Sequence, residues 1–176
     1  MEWLPGPLLP TGGSHYQQVT TIDVAGSGIL LAAEILQAGP LSGSGAVPTR
    51  LSMATVAHYA GQTVHRERAT YRSDNAAHWG EFRCLGTVLA LGEPFNATLA
   101  DELSRLWQRH CLWGAFSPLA GGISGKLLTQ HPQDCRDAVR SALHRLRRAT
   151  GVAGAELATP TETPLFSPAR SAPPDH

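Results

Sequence analysis

The sequence predicts a mainly β fold with two α-helices toward the C-terminus. Three patterns support this prediction: a β-branched run at residues 19–24, a hairpin pattern over residues 51–71, and amphipathic helical repeats at residues 98–109 and 134–149. The chain has 176 residues, of which 42% are hydrophobic. It is therefore long enough to bury a core and too apolar to be disordered throughout.

The predicted strands differ in how strongly the sequence specifies them. Residues 17–24 favour a strand because they are rich in β-branched side chains. Residues 29–36 form a nearly continuous apolar run broken by Glu34, which favours a buried strand, although the Ala-Ala-Glu-Ile-Leu core also suits a helical turn. Further strands are predicted at residues 82–91, 113–118 and 123–128, and a loop at residues 39–48.

The hairpin is predicted to join strands at residues 52–59 and 62–71 through Ala60-Gly61. Gly61 is expected to supply the positive φ of a type II turn, which leaves Ala60 unstrained. Alternation along the second strand separates two faces, neither of them purely apolar. One carries Val64, Arg66, Arg68 and Arg72, and the other carries His65, Glu67 and Tyr71.

Both predicted helices have recognisable ends. Thr98 is expected to cap the first, and Gly151 to end the second. Cys135, at the start of the second helix, suits a small core position. The segment 153–176 is rich in Pro, Thr, Ser and Ala, and we expect a disordered tail after a single domain at 1–152.

Composition excludes several classes of function. The formal net charge is zero, so nothing indicates a nucleic-acid partner. No run of 18 apolar residues exists, so no membrane association is expected. The three cysteines are odd in number and form no CxxC motif, which favours a reducing cytoplasmic location.

Motifs for catalysis or cofactor binding are missing from the sequence. No P-loop, G-x-S-x-G or HExxH pattern occurs, and the eight histidines show no spacing typical of a metal site. No catalytic or cofactor-binding residue is therefore predicted. Glu34 is unusual because a carboxylate in an apolar run must find a partner or its pKa rises. For Glu67 we expect an ion pair with Arg66 or Arg68.

Five segments, taken in order, resemble one family. They begin with Glu2-Trp3-Leu4-Pro5 and continue at residues 28–39, 59–68, 85–88 and 114–128. This arrangement is similar to the urease accessory protein D family, also called UreD/UreH. The sequence departs from the family pattern at Gly39-Pro40, where the family has Gly-Arg. The β-rich half that precedes the Glu-Trp-Leu-Pro segment in the family is also missing, so we expect an N-terminally shortened relative.

The resemblance implies a stacked, β-helix-like sheet architecture and a non-enzymatic scaffold or chaperone. Such a protein is required for nickel insertion into apo-urease and acts with accessory proteins F and G, of which G is the GTPase. Nickel would pass through without stable binding. Glu34, His65 and Glu67 are the candidate weak, transient ligands, because a conduit needs ligands that exchange.

Two other interpretations remain open from the sequence. The chain is alternatively a generic β-rich protein-binding module unrelated to urease. A small hydrolase that uses one of the histidines is the other possibility, but it needs a nucleophile held beside a base, and the sequence does not show that pair.

Overall fold

A computed structural model of the chain describes residues 1–37, 49–72, 82–110 and 113–151. The prediction of a mainly β fold with two helices toward the C-terminus is confirmed. The predicted loop at 39–48 and the predicted tail at 153–176 lie outside the described residues. The elements are β1 (Glu2–Trp3), β2 (His15–Val24), β3 (Leu30–Gln37), β4 (Arg50–Tyr59), β5 (Gln62–Arg72), β6 (Cys84–Leu91), α1 (Ala97–Arg109), β7 (Trp113–Leu119), β8 (Gly122–Thr129) and α2 (Pro132–Ala149).

The strands form two sheets, and the first four strands alternate between them. A five-stranded sheet has the order β1-β3-β6-β8-β7, and a three-stranded sheet has the order β2-β4-β5. β1 pairs with β3 in parallel, and β2 pairs with β4 in parallel. Successive strands from β1 to β4 therefore switch sheets at each step, which produces the coiled, β-helix-like path that the family resemblance implied.

Three layers result from this topology. One face of the five-stranded sheet packs on both helices, and the core there includes Val88, Trp107 and Leu146. The opposite face packs on the three-stranded sheet, where Ile22 and Leu89 belong to a second, smaller core. The five-stranded sheet is therefore covered on both faces.

This double coverage explains the apolar run in β3. Leu31 and Ala33 belong to the core under the helices, whereas Leu30 and Ala32 belong to the core between the sheets. A strand buried on both faces reads as a continuous apolar segment rather than an alternating one. The strand interpretation of this run is confirmed and the helical alternative is wrong.

The residue that caps helix α1 lies two residues before the predicted one. This N-cap is Asn96, whose side-chain Oδ1 accepts a hydrogen bond of 3.1 Å from the backbone N–H of Leu99. The prediction of Thr98 as the cap is wrong. An amide oxygen satisfies the free N–H groups of a first helical turn as well as a hydroxyl does, so both residue types were compatible with the sequence.

Helix α2 packs on β6 at Gly86, where the strand carries no side chain. A Cβ placed on Gly86 would lie 2.8 Å from Leu127 Cδ2 and 3.0 Å from Cys135 Sγ. Gly86 thus permits the close approach of α2, and Cys135 is fully buried in the core, as expected from the sequence. Gly151 follows the helix with φ +65°, as the predicted helix end requires.

The hairpin between β4 and β5 is confirmed, but its turn is not of the predicted type. Both Ala60 (φ 50°) and Gly61 (φ 75°) have positive φ values. Two central residues in this conformation define a type I′ turn, whose twist matches that of the flanking strands. The type II prediction is wrong. The twist of the paired strands selects the turn type, even though this turn places Ala60 in a strained backbone conformation.

Candidate functional site

Two small cavities lie between the two sheets. Each has a volume of about 30 Å³, enough for about one or two water molecules. They share four polar lining residues, which we call the shared wall: Glu34, Thr55, Glu67 and Thr87. A polar strip thus interrupts an otherwise apolar interface between the sheets.

Strand register brings the shared wall together. In the five-stranded sheet, Glu34 lies opposite Thr87, and Thr87 lies opposite Lys126. In the three-stranded sheet, Thr55 lies opposite Glu67. Side chains two residues apart on a strand share a face, so the same alternation that turns Ile22 and Ala57 into the core turns these polar groups toward the cavities.

Glu34 forms a hydrogen bond across the sheet interface. Its Oε1 accepts a hydrogen bond from Gln18 Nε2, and Gln18 in turn accepts one of 2.8 Å from the Tyr16 hydroxyl. Burial raises the pKa of Glu34, the Gln18 hydrogen bond opposes that rise, and the nearby charge of Glu67 adds to it. The sequence predicted a partner or a raised pKa, and both are present.

Glu67 lies in a cationic setting. His65 Nε2 is 3.6 Å from Glu67 Oε2, and Lys126 Nζ donates a closer hydrogen bond to Oε1. His65 and Lys126 lower the pKa of Glu67 to about 2, although burial acts in the opposite direction. The predicted ion pair with Arg66 or Arg68 is wrong, because residues adjacent to Glu67 on the strand point to the opposite face of the sheet.

The three predicted nickel-path residues all line the cavities. Glu34 and Glu67 border both, and His65 borders one. Within the part of the chain that the structure describes, however, no three His, Cys, Asp or Glu side chains come close enough to hold a metal ion. These residues therefore line the cavities as separate donors and do not form a closed coordination site.

Histidines and cysteines are common metal ligands, and several of those in the described ranges have other contacts or a structural position. His58 Nδ1 lies 3.1 Å from Thr63 Oγ1 across the hairpin, and His131 is the residue before α2. Burial raises the pKa of Cys84, and it raises that of Cys135 to about 12, so both thiols stay protonated and are poor ligands. Cys111 lies outside the described residues.

Sequence reasoning missed Gln18 and Lys126 as partners of the two glutamates. Each lies on a different strand from its partner, and Glu67 and Lys126 are 59 residues apart in the chain. Parity along β2 offered a signal for Gln18, because it shares a face with Ile22, which is buried. Alternation along β8 puts Lys126 on the face opposite to Ile123 and Leu127, but nothing local indicated Glu67 as its partner.

The fold and the site define a class of protein: a layered β scaffold with two small polar cavities between its sheets and two helices behind them. Comparison with known proteins identifies the family. The sequence model described as "UreD urease accessory protein" matches residues 1–161, and the chain belongs to this family. This confirms the resemblance noted from the five sequence segments.

A curated relative supports the same assignment. The chain is 33% identical over 109 residues to urease accessory protein UreD 2 of Saccharopolyspora erythraea. The match covers 58% of this chain and 38% of the relative, so the chain spans well under half of that protein's length. Of the helices in the described ranges, neither is both long and apolar enough to cross a membrane.

Proposed function

We infer that the chain acts as a non-enzymatic scaffold, or chaperone, in the insertion of nickel into apo-urease in the cytoplasm. Its partners would be the urease apoprotein and accessory proteins F and G. The GTPase step belongs to protein G, because this sequence carries no nucleotide-binding motif. Membership of the UreD family argues against the alternative of a binding module unrelated to urease.

The observation that carries this proposal is the shared wall between the two cavities. A passage for a divalent cation needs oxygen or nitrogen donors held inside a β scaffold at low ligand number, so that the ion is released again. Glu34, His65 and Glu67 supply such donors. The Lys126 ammonium pairs with Glu67, so a passing cation has to compete with a resident positive charge, which keeps binding weak.

The test is nickel loading of urease in cells that lack their own UreD-family gene. The whole chain is supplied with accessory proteins F and G, and nickel per urease active site is measured by mass spectrometry. The double variant Glu34→Gln/Glu67→Gln is expected to reduce nickel loading several-fold, because both carboxylates of the shared wall become neutral amides.

Glu102→Gln is the matched control, because Glu102 pairs with Arg145 between the two helices, away from the cavities. It is expected to load urease as the wild type does. Circular dichroism melting checks that every variant is folded. Full nickel loading by the double variant would contradict the proposed route through the shared wall. Full loading without the chain at all would contradict the accessory role itself.

A further inference from the structure

The outward face of the three-stranded sheet concentrates positive charge. Because Ile22, Ala57 and Glu67 point toward the other sheet, residues of the opposite parity point outward. Four arginines lie on this outward side, which we call the arginine face: Arg50, Arg66, Arg68 and Arg72. All four are exposed.

The charge on the arginine face is one-sided. Asp23, at the far end of β2, is the only carboxylate among the outward positions of the three strands, all of which the structure describes. The face therefore carries a net charge of +3 with its histidines neutral, whereas the whole chain has a formal net charge of zero. The positive charge of the chain is therefore concentrated on this surface.

This concentration of like charge is unfavourable to the isolated fold because the charges repel each other. Arg66 and Arg68 follow each other on one side of β5, and neither has an ion-pair partner within the described ranges. An anionic partner would remove this repulsion.

The arginines border an apolar strip. Val19 is 63% exposed, and it lies beside Ala54, which pairs in turn with Arg68. Two residues further along β4, Val56 pairs with Arg66 in the same way. Apolar side chains at the centre with charged ones beside them are an arrangement typical of protein interfaces.

We propose that the arginine face binds an acidic segment of a partner protein. Arg66 and Arg68 are about 7 Å apart along β5, the repeat of alternate side chains in an extended strand. An extended partner with a carboxylate at every second position matches this repeat, and its intervening side chains cover the strip around Val19. This surface lies on the opposite side of the sheet from the cavities and does not depend on the nickel proposal.

A protein fits the face better than a nucleic acid does. Single-stranded nucleic acids bind where aromatic side chains stack on their bases, beside cationic groups that hold the phosphates. No Phe, Tyr or Trp occupies an outward position of β2, β4 or β5, every residue of which is described. The tyrosines Tyr16 and Tyr71 share the parity of the inward residues.

The probe is a labelled peptide of about twelve residues that alternates Glu and Thr, titrated with the whole chain while fluorescence anisotropy is measured. The Arg66→Gln/Arg68→Gln variant is expected to raise the dissociation constant about tenfold, with weaker binding at higher salt. The matched control is Arg140→Gln/Arg148→Gln, which removes the same charge from exposed positions on α2.

The control is expected to bind within about twofold of the wild type. Equal weakening by both variants would mean that only net charge matters, and the proposal would be wrong. Absence of peptide binding to the wild-type chain would also overturn it. A single-stranded oligonucleotide of equal length is titrated in parallel, and tighter binding of that probe, lost in the Arg66/Arg68 variant, would assign the face to nucleic acid instead. Melting curves confirm that the variants are folded.

Discussion

Glu34 and Glu67 lie in one polar strip between the sheets, yet their pKa values shift in opposite directions. Burial dominates at Glu34 and raises its pKa, and the hydrogen bond from the uncharged Gln18 amide opposes that rise only in part. His65 and Lys126 dominate at Glu67 and lower its pKa to about 2. The two carboxyls therefore make opposite contributions to stability as the pH changes.

Replacing Glu67 by Gln is expected to lower the free energy of unfolding by about 1 kcal/mol at pH 7, because the ion pair with Lys126 is lost. A carboxyl whose folded-state pKa is depressed stabilises the fold above its unfolded pKa of about 4.5. That contribution disappears as the pH falls from about 4.5 to about 2. Urea unfolding of both proteins at several pH values measures the difference.

The control for this experiment is Glu102→Gln, which breaks the more exposed pair with Arg145. It is expected to change stability less at every pH. A difference between wild type and Glu67→Gln that stayed constant down to pH 2 would contradict the assigned cause, since the ion pair would then not be its source.

Among the residues that the structure describes, Ala60 is the one non-glycine residue with a positive φ. Replacing it by Gly is expected to raise the free energy of unfolding by about 0.5 kcal/mol, because relief of the Cβ strain outweighs the extra freedom of glycine in the unfolded chain. Gly61→Ala in the same turn is expected to destabilise by about 1 kcal/mol. Thermal unfolding of the two variants decides, and a destabilised Ala60→Gly would contradict the type I′ assignment.

Among the elements, the two helices depend on different features at their starts. Asn96 caps α1 through its side chain, whereas α2 begins with Pro132 after His131, which makes no side-chain capping bond. Proline suits a first helical position because its missing N–H would have no partner there. The capping energy of α1 is therefore concentrated in one side chain.

Asn96→Ala is expected to destabilise the protein by about 1 kcal/mol, because the Leu99 N–H loses its acceptor. Thr98→Ala, two residues later and inside the helix, is the matched control and is expected to have little effect or to stabilise slightly. Chemical denaturation measures both. A larger loss of unfolding free energy in Thr98→Ala than in Asn96→Ala would contradict Asn96 as the cap and support Thr98 instead.

Contacts between elements far apart in the sequence unite the whole molecule. Trp107 Nε1 donates a hydrogen bond of 3.2 Å to the carbonyl of Ala138, which joins the two helices. Arg147 Nε donates one of 2.6 Å to Glu2, which joins the last helix to the first strand. Helix α2 thus contacts both the first strand and α1, and it places Cys135 beside Cys84 in the core.

Thiol labelling is expected to report this whole-molecule packing. In a Cys111→Ser variant, Cys84 and Cys135 are expected to react with a disulfide reagent only as fast as the domain opens, because both are fully buried and the pKa of Cys135 is raised to about 12. Low concentrations of urea are expected to accelerate labelling. Immediate labelling in native buffer would contradict a closed core beneath α2.

The sequence by itself determined which segments become strands and helices. Its signals were local: β-branched runs, the Ala60-Gly61 pair, and the helical repeats of Leu99, Leu103 and Trp107. These features act over a few residues and do not need the rest of the chain. Five ordered segments also carried the family resemblance that the comparison with known proteins confirmed.

Only the tertiary structure decided how the elements combine. It packed the two sheets face to face so that Glu67 meets Lys126 and Glu34 meets Gln18, and it left Arg66 and Arg68 on the outer face. It also placed Asn96, rather than Thr98, at the start of α1. The physical reason is that partner choice depends on which faces of the two sheets meet, and contacts formed between distant residues leave no periodic trace in the sequence near either one.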